Sequence, residues 1–253
     1  KENITYILNS LKSNIDKIEN KKTILHIFNS KYTLDKKEIE NLPIGLHGDF
    51  YTHELSFCLL NNNEYKNINQ IFNKCNLKIK NIFLKGFVES TLLSNNYKDI
   101  NTFFQIIINE NQSQILYFEN DALKFQQDFN FGLNLIISDI SKVTSLKINI
   151  IKKILIQTIF SSNISNDEFI EKKVFENENY IKIKKKLLFE IAEARIQEFF
   201  ELLISKNINF KSYNKNKKII FLKINDELHF KCFKDLYHLV FSNNNFTVKF
   251  IEN

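Results

Sequence analysis

Apolar positions along this chain change their spacing several times, and each change marks an element. Over residues 2–19, Ile4, Ile7, Leu8, Leu11, Ile15 and Ile18 recur every three or four positions and share one face, which predicts an amphipathic helix. Apolar runs at Thr23–Leu34 and Thr52–Leu60 predict two strands. Between them LPIGLHGD, Leu42–Asp49, holds the only Pro and two of the four Gly, the composition of a structured turn. A short helix over Lys66–Asn76 is expected to turn Ile68, Ile71, Phe72 and Cys75 inward. A strand over Ile79–Leu84 then leads through Gly86 into another short helix or loop.

From Thr102 the pattern becomes that of a β-meander. The segments TFFQIII, SQILYFEN and ALKFQQDFNF are separated by the polar knot Asn109-Glu110-Asn111-Gln112 and by Asn120-Asp121. Ser138–Leu155 reads as helical, with Ser138 or Asp139 as the cap of its first helix. Polar Ser161–Asn179 reads as a loop or mobile insertion. A long helix over Ile183–Ser205 carries Leu187, Leu188, Ile191, Ala194, Leu202 and Leu203 largely on one side. The chain closes with a strand at Lys218–Lys223, a helix near Phe230–Phe241 and a strand at Phe246–Ile251. Strands and helices alternating in this way predict a mixed α/β or α+β protein.

Composition narrows the chemistry. With 253 residues, 43% of them hydrophobic, the chain can bury one large core or two smaller ones. Gly and Pro are scarce while Asn, Ile, Lys and Phe recur, a bias that AT-rich coding produces, so a single lysine or asparagine carries little weight. The net charge of +6 arises from 35 basic residues spread along the chain and mixed with 29 acidic ones. That distribution describes a solvated surface and not a nucleic-acid footprint. The densest basic cluster, Ile181–Leu188, reads as the solvated face at a helix start.

Three cysteines, Cys58, Cys75 and Cys232, are odd in number and far apart, so neither a disulfide framework nor a zinc pattern follows, and a reducing cytoplasm is expected. No apolar run reaches the length of a membrane span and no signal peptide opens the chain. The first residue is Lys and Met is absent, which suggests a piece of a longer product. Among the five histidines only His47 and His53, with Asp49, flank one turn as a metal grouping; no metal is assigned to them. No serine or cysteine stands beside a base in a nucleophile motif.

Several short words, in order, resemble the bacterial cell-division actin homologue family FtsA. Thr23-Ile24-Leu25-His26-Ile27 is similar to a family strand, and Pro43-Ile44-Gly45-Leu46-His47-Gly48 to a turn before the next one. Asn73-Lys74-Cys75-Asn76-Leu77 resembles a "cysteine-x-leucine" helix end. Ser138-Asp139-Ile140-Ser141 resembles a helix start, and Glu190-Ile191-Ala192-Glu193-Ala194-Arg195 a word within a later helix. The resemblance implies an actin/heat-shock-chaperone ATPase fold with the family's inserted subdomain. On that map residues 1–60 are the remainder of the insertion and 61–101 the remainder of the first large subdomain. Residues 102–160 and 215–253 form the second large subdomain, and 161–214 the small one. The N-terminal phosphate hairpin and the C-terminal membrane helix of the family have no counterpart in this sequence.

The family's second phosphate loop is glycine-rich and follows an Asp. Laid on this chain, the Asp falls on Ile107 and the glycines on Asn109, Glu110 and Asn111, with Gln112 next. Backbone amides that cradle phosphate need dihedrals a Cβ obstructs; Asn tolerates the left-handed region, Glu110 sets a carboxylate against a polyanion, and Ile107 offers magnesium no oxygen. An adenosine-side "T-G-G" falls on Leu222-Lys223-Ile224, and a "G-G" keeps one glycine at Phe131-Gly132. The resemblance therefore implies degenerate nucleotide loops at Asn109, Glu110, Asn111, Gln112, Gly132 and Glu193, with no enzymatic activity expected and ATP with magnesium weakly held or lost.

Arg195 is the one arginine among 34 lysines, kept where a planar two-armed donor matters. It is equally explained by a pair with Glu198 on its own helix. The resemblance places it in the small subdomain, as a contact for the C-terminal tail of the tubulin homologue FtsZ. Self-association into actin-like filaments and contacts with other division proteins are further implied, at the inner face of the cell membrane and without nucleic acid. Two alternatives stay open: a working ATP-dependent actin-like switch, and an actin-like adaptor of pilus or secretion assembly.

Overall fold

The computed structural model describes residues 2–39, 42–120, 122–157, 165, 167–175, 179–212 and 218–251. They fall into two units, Lys1–Asn101 with Phe118–Phe125, and Thr102–Tyr117 with Gln126–Asn253. Of the expected loop at Ser161–Asn179, residues 161–164, 166 and 176–178 lie outside the described residues, as does Asp121 of the Asn120-Asp121 turn; the described Lys172–Phe175 is not loop but a short 3-10 helix that buries Val174 and Phe175.

The first unit opens with helix α1, Glu2–Ile18, on which Leu11 and Ile15 are half-buried and Ile18 is exposed; the side chains of Ile4, Ile7 and Leu8 lie outside the described set. Strands β1 (Lys22–Leu34), β2 (Lys37–Ile39) and β3 (Tyr51–Asn61) form an antiparallel sheet in the order β2-β1-β3. Periodicity does not reveal β2 because three residues are too few to show an alternation. Asp35 and Lys36, at φ of 50° and 68°, make the two-residue turn between β1 and β2. The Asp35 carboxylate accepts the amides of Asp49 and Phe50 at 2.9 and 2.8 Å, which fixes the far end of the Leu42–Asp49 turn. Gly45, at φ of 84°, supplies that turn with a conformation that side chains resist.

The element expected after Ile79–Leu84 is a helix, α3 (Lys85–Asn96), while helix α2 (Asn62–Lys74) departs from expectation in its surroundings. Ile71 is 62% and Phe72 43% exposed, Cys75 is exposed and Ile68 is half-buried, so α2 buries none of its residues. The expected strand at Ile79–Leu84 is extended backbone with no ladder among the described residues. Its apolar residues favour a strand, but a strand also requires an edge to pair with, which the residues alone do not encode.

A second sheet has strands β4 (Thr102–Ile108), β5 (Ser113–Glu119), β6 (Ala122–Phe129), β7 (Ile219–Ile224) and β8 (Thr247–Phe250), in the order β6-β5-β4-β7-β8. All seven residues of β4 are buried, so it reads as a continuous apolar run and not an alternation. Strand β7 runs parallel to both β4 and β8. Parallel neighbours need a crossover, and α7 (Glu227–Asn243) provides it between β7 and β8. Phe104 stacks on Tyr117 and Phe210 at centroid distances of 4.6 and 4.3 Å, and Phe200 meets Phe241 edge-on at 5.1 Å. Each such ring contributes about 1.5–3 kcal/mol by burial.

Helix α4 (Asn134–Thr144) starts before the expected caps, so Ser138 and Asp139 are interior residues; apolar Ile136, Ile137 and Ile140 were the stronger signal. Helix α5 spans Ile148–Gln157. The long helix is α6 (Lys185–Phe200), continued as a wider π turn over Glu201–Ser205. It buries Leu188, Ala192, Ile196, Phe199 and Leu203, a stripe rotated from the expected one; Leu187, Ala194 and Leu202 are exposed. The densest basic cluster is largely paired, Lys185 with Glu168 at 3.3 Å and Lys186 with Glu190 at 4.0 Å.

Asp226 caps α7, its Oδ1 accepting the His229 amide at 2.7 Å and lying 2.7 Å from the His229 ring Nδ1. Burial alone would raise the carboxyl's pKa, but the hydrogen bonds from the His229 backbone and ring outweigh it and hold the pKa below the ordinary value. A depressed carboxyl stabilises the fold above its unfolded pKa, and that contribution is lost as pH falls through the folded value. Asp226→Ala is expected to cost about 1–2 kcal/mol at neutral pH. Urea unfolding should show the deficit shrinking at acidic pH; a constant deficit would count against the charged cap.

Candidate functional site

The sequence-predicted phosphate loop is the turn between β4 and β5. Its backbone is closed by the Asn109 amide donating to the Gln112 carbonyl at 2.8 Å. None of Asn109, Glu110, Asn111 and Gln112 has positive φ. The turn thus does not use the left-handed region that was expected to make asparagine a tolerable substitute. It is a turn that ordinary L-residues adopt, which is the physical reason it stands without glycine.

Two further elements converge on it. The Leu133 amide donates to Asn109 O at 3.0 Å and the Asn134 amide to Glu110 O at 2.9 Å. Behind them Leu135 donates to Gly132 O and Ile136 to Leu133 O, both at 3.0 Å. A helix N-terminus ordinarily offers unpaired amides and a positive dipole end, which is what an anion seeks. Here the first amides of α4 are held by the turn's own carbonyls or by their own helix. A phosphate would have to displace carbonyl oxygens that present partial negative charge at that place.

From the third side, the Asn225 amide just past β7 donates to Ile108 O at 3.0 Å. Its side-chain Nδ2 donates to Asn109 Oδ1 at 2.7 Å, and Asn134 Nδ2 donates to Asn111 Oδ1 at 3.0 Å. Asn134 and Asn225, absent from the sequence-derived candidates, are thus members of the junction. Their only signal in the sequence was an asparagine directly after Leu133 and after Ile224, and asparagine is too common here to stand out.

Gly132 has a reason to be glycine that differs from phosphate binding. A Cβ there would lie 2.2 Å from Asn109 O and 2.7 Å from Glu110 C and O, all of it backbone that cannot step aside. Ile107 is buried in β4, and Leu222 and Ile224 are buried in β7 with Lys223 half-buried. Glu193 is half-buried on α6. Among the described residues no group of three His, Cys, Asp or Glu is placed to hold a metal ion. His53 Nε2 is within 3.0 Å of Asn29 Oδ1, and His47 and Asp49 are not brought to it as a ligand set.

Arg195 stands on α6 with its Nε donating to Asp139 of α4 and its Nη1 to Glu198 of the following turn. Its side chain is 24% and that of Asp139 18% exposed, so the pair is mostly withdrawn from water. The guanidinium joins two helices.

In the first unit a groove of about 350 Å³ is lined by Thr23–His26 of β1, Tyr65 of α2 and the extended residues Ile79–Phe83. Strand β1 pairs with β2 only over Tyr32–Leu34, so along Thr23–His26 its edge away from β3 has no strand partner among the described residues. The groove thus brings an unpaired stretch of β1 near the segment Ile79–Phe83, and unpaired edges are where a further strand can add.

No protein-family model matches the chain. Among curated proteins it is similar to the cell division protein FtsA of Buchnera aphidicola subsp. Schizaphis graminum (strain Sg), at 23% identity over 224 residues, covering 86% of this chain and 53% of that protein. It is similar to the cell division protein FtsA of Buchnera aphidicola subsp. Baizongia pistaciae (strain Bp) at 25% identity, covering 86% and 51%. The chain thus spans about half the length of the curated relatives it matches. Among solved structures, the PilM-PilN type IV pilus biogenesis complex is similar over 98% of this chain and 62% of that one, with a TM-score of 0.54 at 7% identity. The chain has a mixed α/β fold, with partial sequence similarity to FtsA. No described helix is long and apolar enough to cross a membrane.

Two substitutions test the junctions. Gly132→Ala is expected to destabilise the second unit by about 2–3 kcal/mol, since the clash is with backbone; denaturant unfolding measures it, and a neutral result would mean the turn is loosely held. Arg195→Lys keeps the charge but not the two-armed reach, and should cost about 1–2 kcal/mol. In a double-mutant cycle with Asp139→Asn the two losses should overlap; additive losses would show that the pair does not act as a unit.

Proposed function

We propose that this chain is a binding and assembly component on an actin-like fold, acting by contact and without nucleotide chemistry. The observation that carries this is the bonding of the Leu133 and Asn134 amides to the carbonyls of Asn109 and Glu110. The place where a second phosphate loop would hold an anion is filled by the chain itself, with Asn109, Glu110, Asn111, Gln112 and Gly132 as structural residues of a degenerate site. The slot between β1 and Ile79–Phe83 serves as a contact surface, receiving an extended segment of a partner by strand addition.

Of the settings for such a component, an actin-like adaptor of pilus or secretion assembly is supported by the likeness to the pilus biogenesis complex over 98% of the chain. A division role is favoured by a different observation, the two FtsA relatives. In that role residues 1–60 are the remainder of an FtsA-type insertion, the surface around Arg195 receives the FtsZ tail, and the protein self-associates into filaments beneath the membrane.

A thermal-shift titration with Mg-ATP tests the contact mechanism. No saturable stabilisation is expected; a ligand at about 100 times its Kd would add about 2.7 kcal/mol, and such a rise at micromolar ATP would overturn it. Co-sedimentation with FtsZ separates the two settings. Binding lost in Arg195→Glu, with the fold intact by circular dichroism, supports division; absence of binding supports the adaptor.

A further inference from the structure

The contact slot of the first unit contains one titratable group placed to control it. Strand β1 carries a bulge where Ile24 faces Leu59 and His26 faces Cys58, leaving Leu25 as the extra residue. Bulges re-aim side chains, and here His26 stands among three phenyl rings, Phe28, Phe83 and Phe87, at centroid distances of 5.6, 5.8 and 5.6 Å. The Leu84 amide, at the junction of the extended segment with α3, donates to His26 Nε2 at 3.0 Å. This bond clasps the extended wall of the slot to β1.

We propose that His26 is a proton-operated latch on this slot: neutral, it holds the wall Ile79–Leu84 against β1, and protonated, it releases the wall and admits a strand. The proposal rests on the slot being the contact surface. An imidazole that accepts at Nε2 carries its one proton on Nδ1, so the incoming proton must land on Nε2. Two N–H groups then face each other, and the Leu84 amide loses its acceptor. The N-terminus of α3, with its positive dipole end, lies at the same place and also disfavours a cation.

The charged and titratable neighbours do not reverse this. Across the ladder β3 offers Cys58, α2 offers Tyr65, the extended wall offers Lys80, and α3 offers Lys85 paired with Glu89 at 3.8 Å. The one carboxylate in that set, Glu89, has its Oε1 3.8 Å from Lys85, and burial, not this charge, is what shifts His26. Ring faces attract a cation only weakly where water reaches them, and that attraction does not replace the acceptor that the Leu84 amide loses. Consistent with this, burial holds the His26 pKa below the ordinary imidazole value. A histidine with a depressed pKa stabilises the closed form fully above its open-state value, near 6.5, and loses that contribution as pH falls.

Amide hydrogen exchange of the protein, corrected for intrinsic rates, reads the latch without any ligand. Protection of the Leu84 amide is expected to fall on the order of tenfold between pH 7.5 and pH 5.5, since each pH unit below the open-state pKa shifts the balance by up to that factor. In His26→Gln, whose side-chain oxygen still accepts but does not titrate, protection should stay within about twofold over the same range. An equal pH response in both proteins overturns the latch. If the glutamine variant does not fold, the ¹⁵N shifts of His26 decide: a protonated Nε2 at pH 7.5 overturns the proposal, and a bare Nε2 that titrates together with Leu84 protection upholds it. Failure of strand binding at the slot would leave this exchange behaviour unchanged, so the two ideas fail separately.

Discussion

A helix end must give its first amides to something, and in the second unit the chain itself meets that requirement at a junction whose asparagines reach the surface. The amides of Leu133 and Asn134 go to carbonyls of the β4–β5 turn, and this is geometrically feasible because residue 132 has no Cβ. Once those bonds form, the turn cannot slide relative to α4. The amide and side chain of Asn225 then tie the end of β7 to the same turn. Three elements distant in sequence meet at one point with their polar backbone groups satisfied by one another.

Helix α4 is held a second time, one turn and a half further on. Asp139 receives the Arg195 guanidinium from α6, while Ile136, Ile137 and Ile140 face the core. Residue 139 therefore serves the inside of the fold, where a capping residue would have served its edge. The isolated arginine in a lysine-rich chain fits this position: one arm reaches across to α4 and another back to Glu198, which a single ammonium does less well. A residue used in this way can still shape a surface, since Glu198 on its outer side is exposed.

Much of the second unit is legible in the sequence because its signals are strong and local. Uninterrupted apolar runs announce β4 and β5, and the closing strand–helix–strand is bounded by Asp226 and by the asparagines after α7. The junction itself is legible only in outline. The turn residues 109–112 are marked by polarity, but hydrogen bonds from Asn134 and Asn225 come from 23 and 116 residues away and leave no local trace. The stripe of α6 is misjudged for a related reason. Leucines at 187, 188, 202 and 203 lie on adjacent faces, and the π turn at Glu201–Ser205 shifts the phase between the first pair and the last.

The first unit marks a different boundary of what residue patterns can say. The apolar residues of Ile79–Leu84 suit a strand, yet the segment joins no ladder among the described residues; pairing is a property of two edges, and β1 lies across a groove from it. The clasp between them is one hydrogen bond from Leu84 to a ring nitrogen, set by a bulge at Leu25. A ladder would have distributed the same task over several backbone bonds and made the wall immovable. One bond to a titratable acceptor makes it conditional, so the weakness of the pairing and the capacity to respond have the same physical origin.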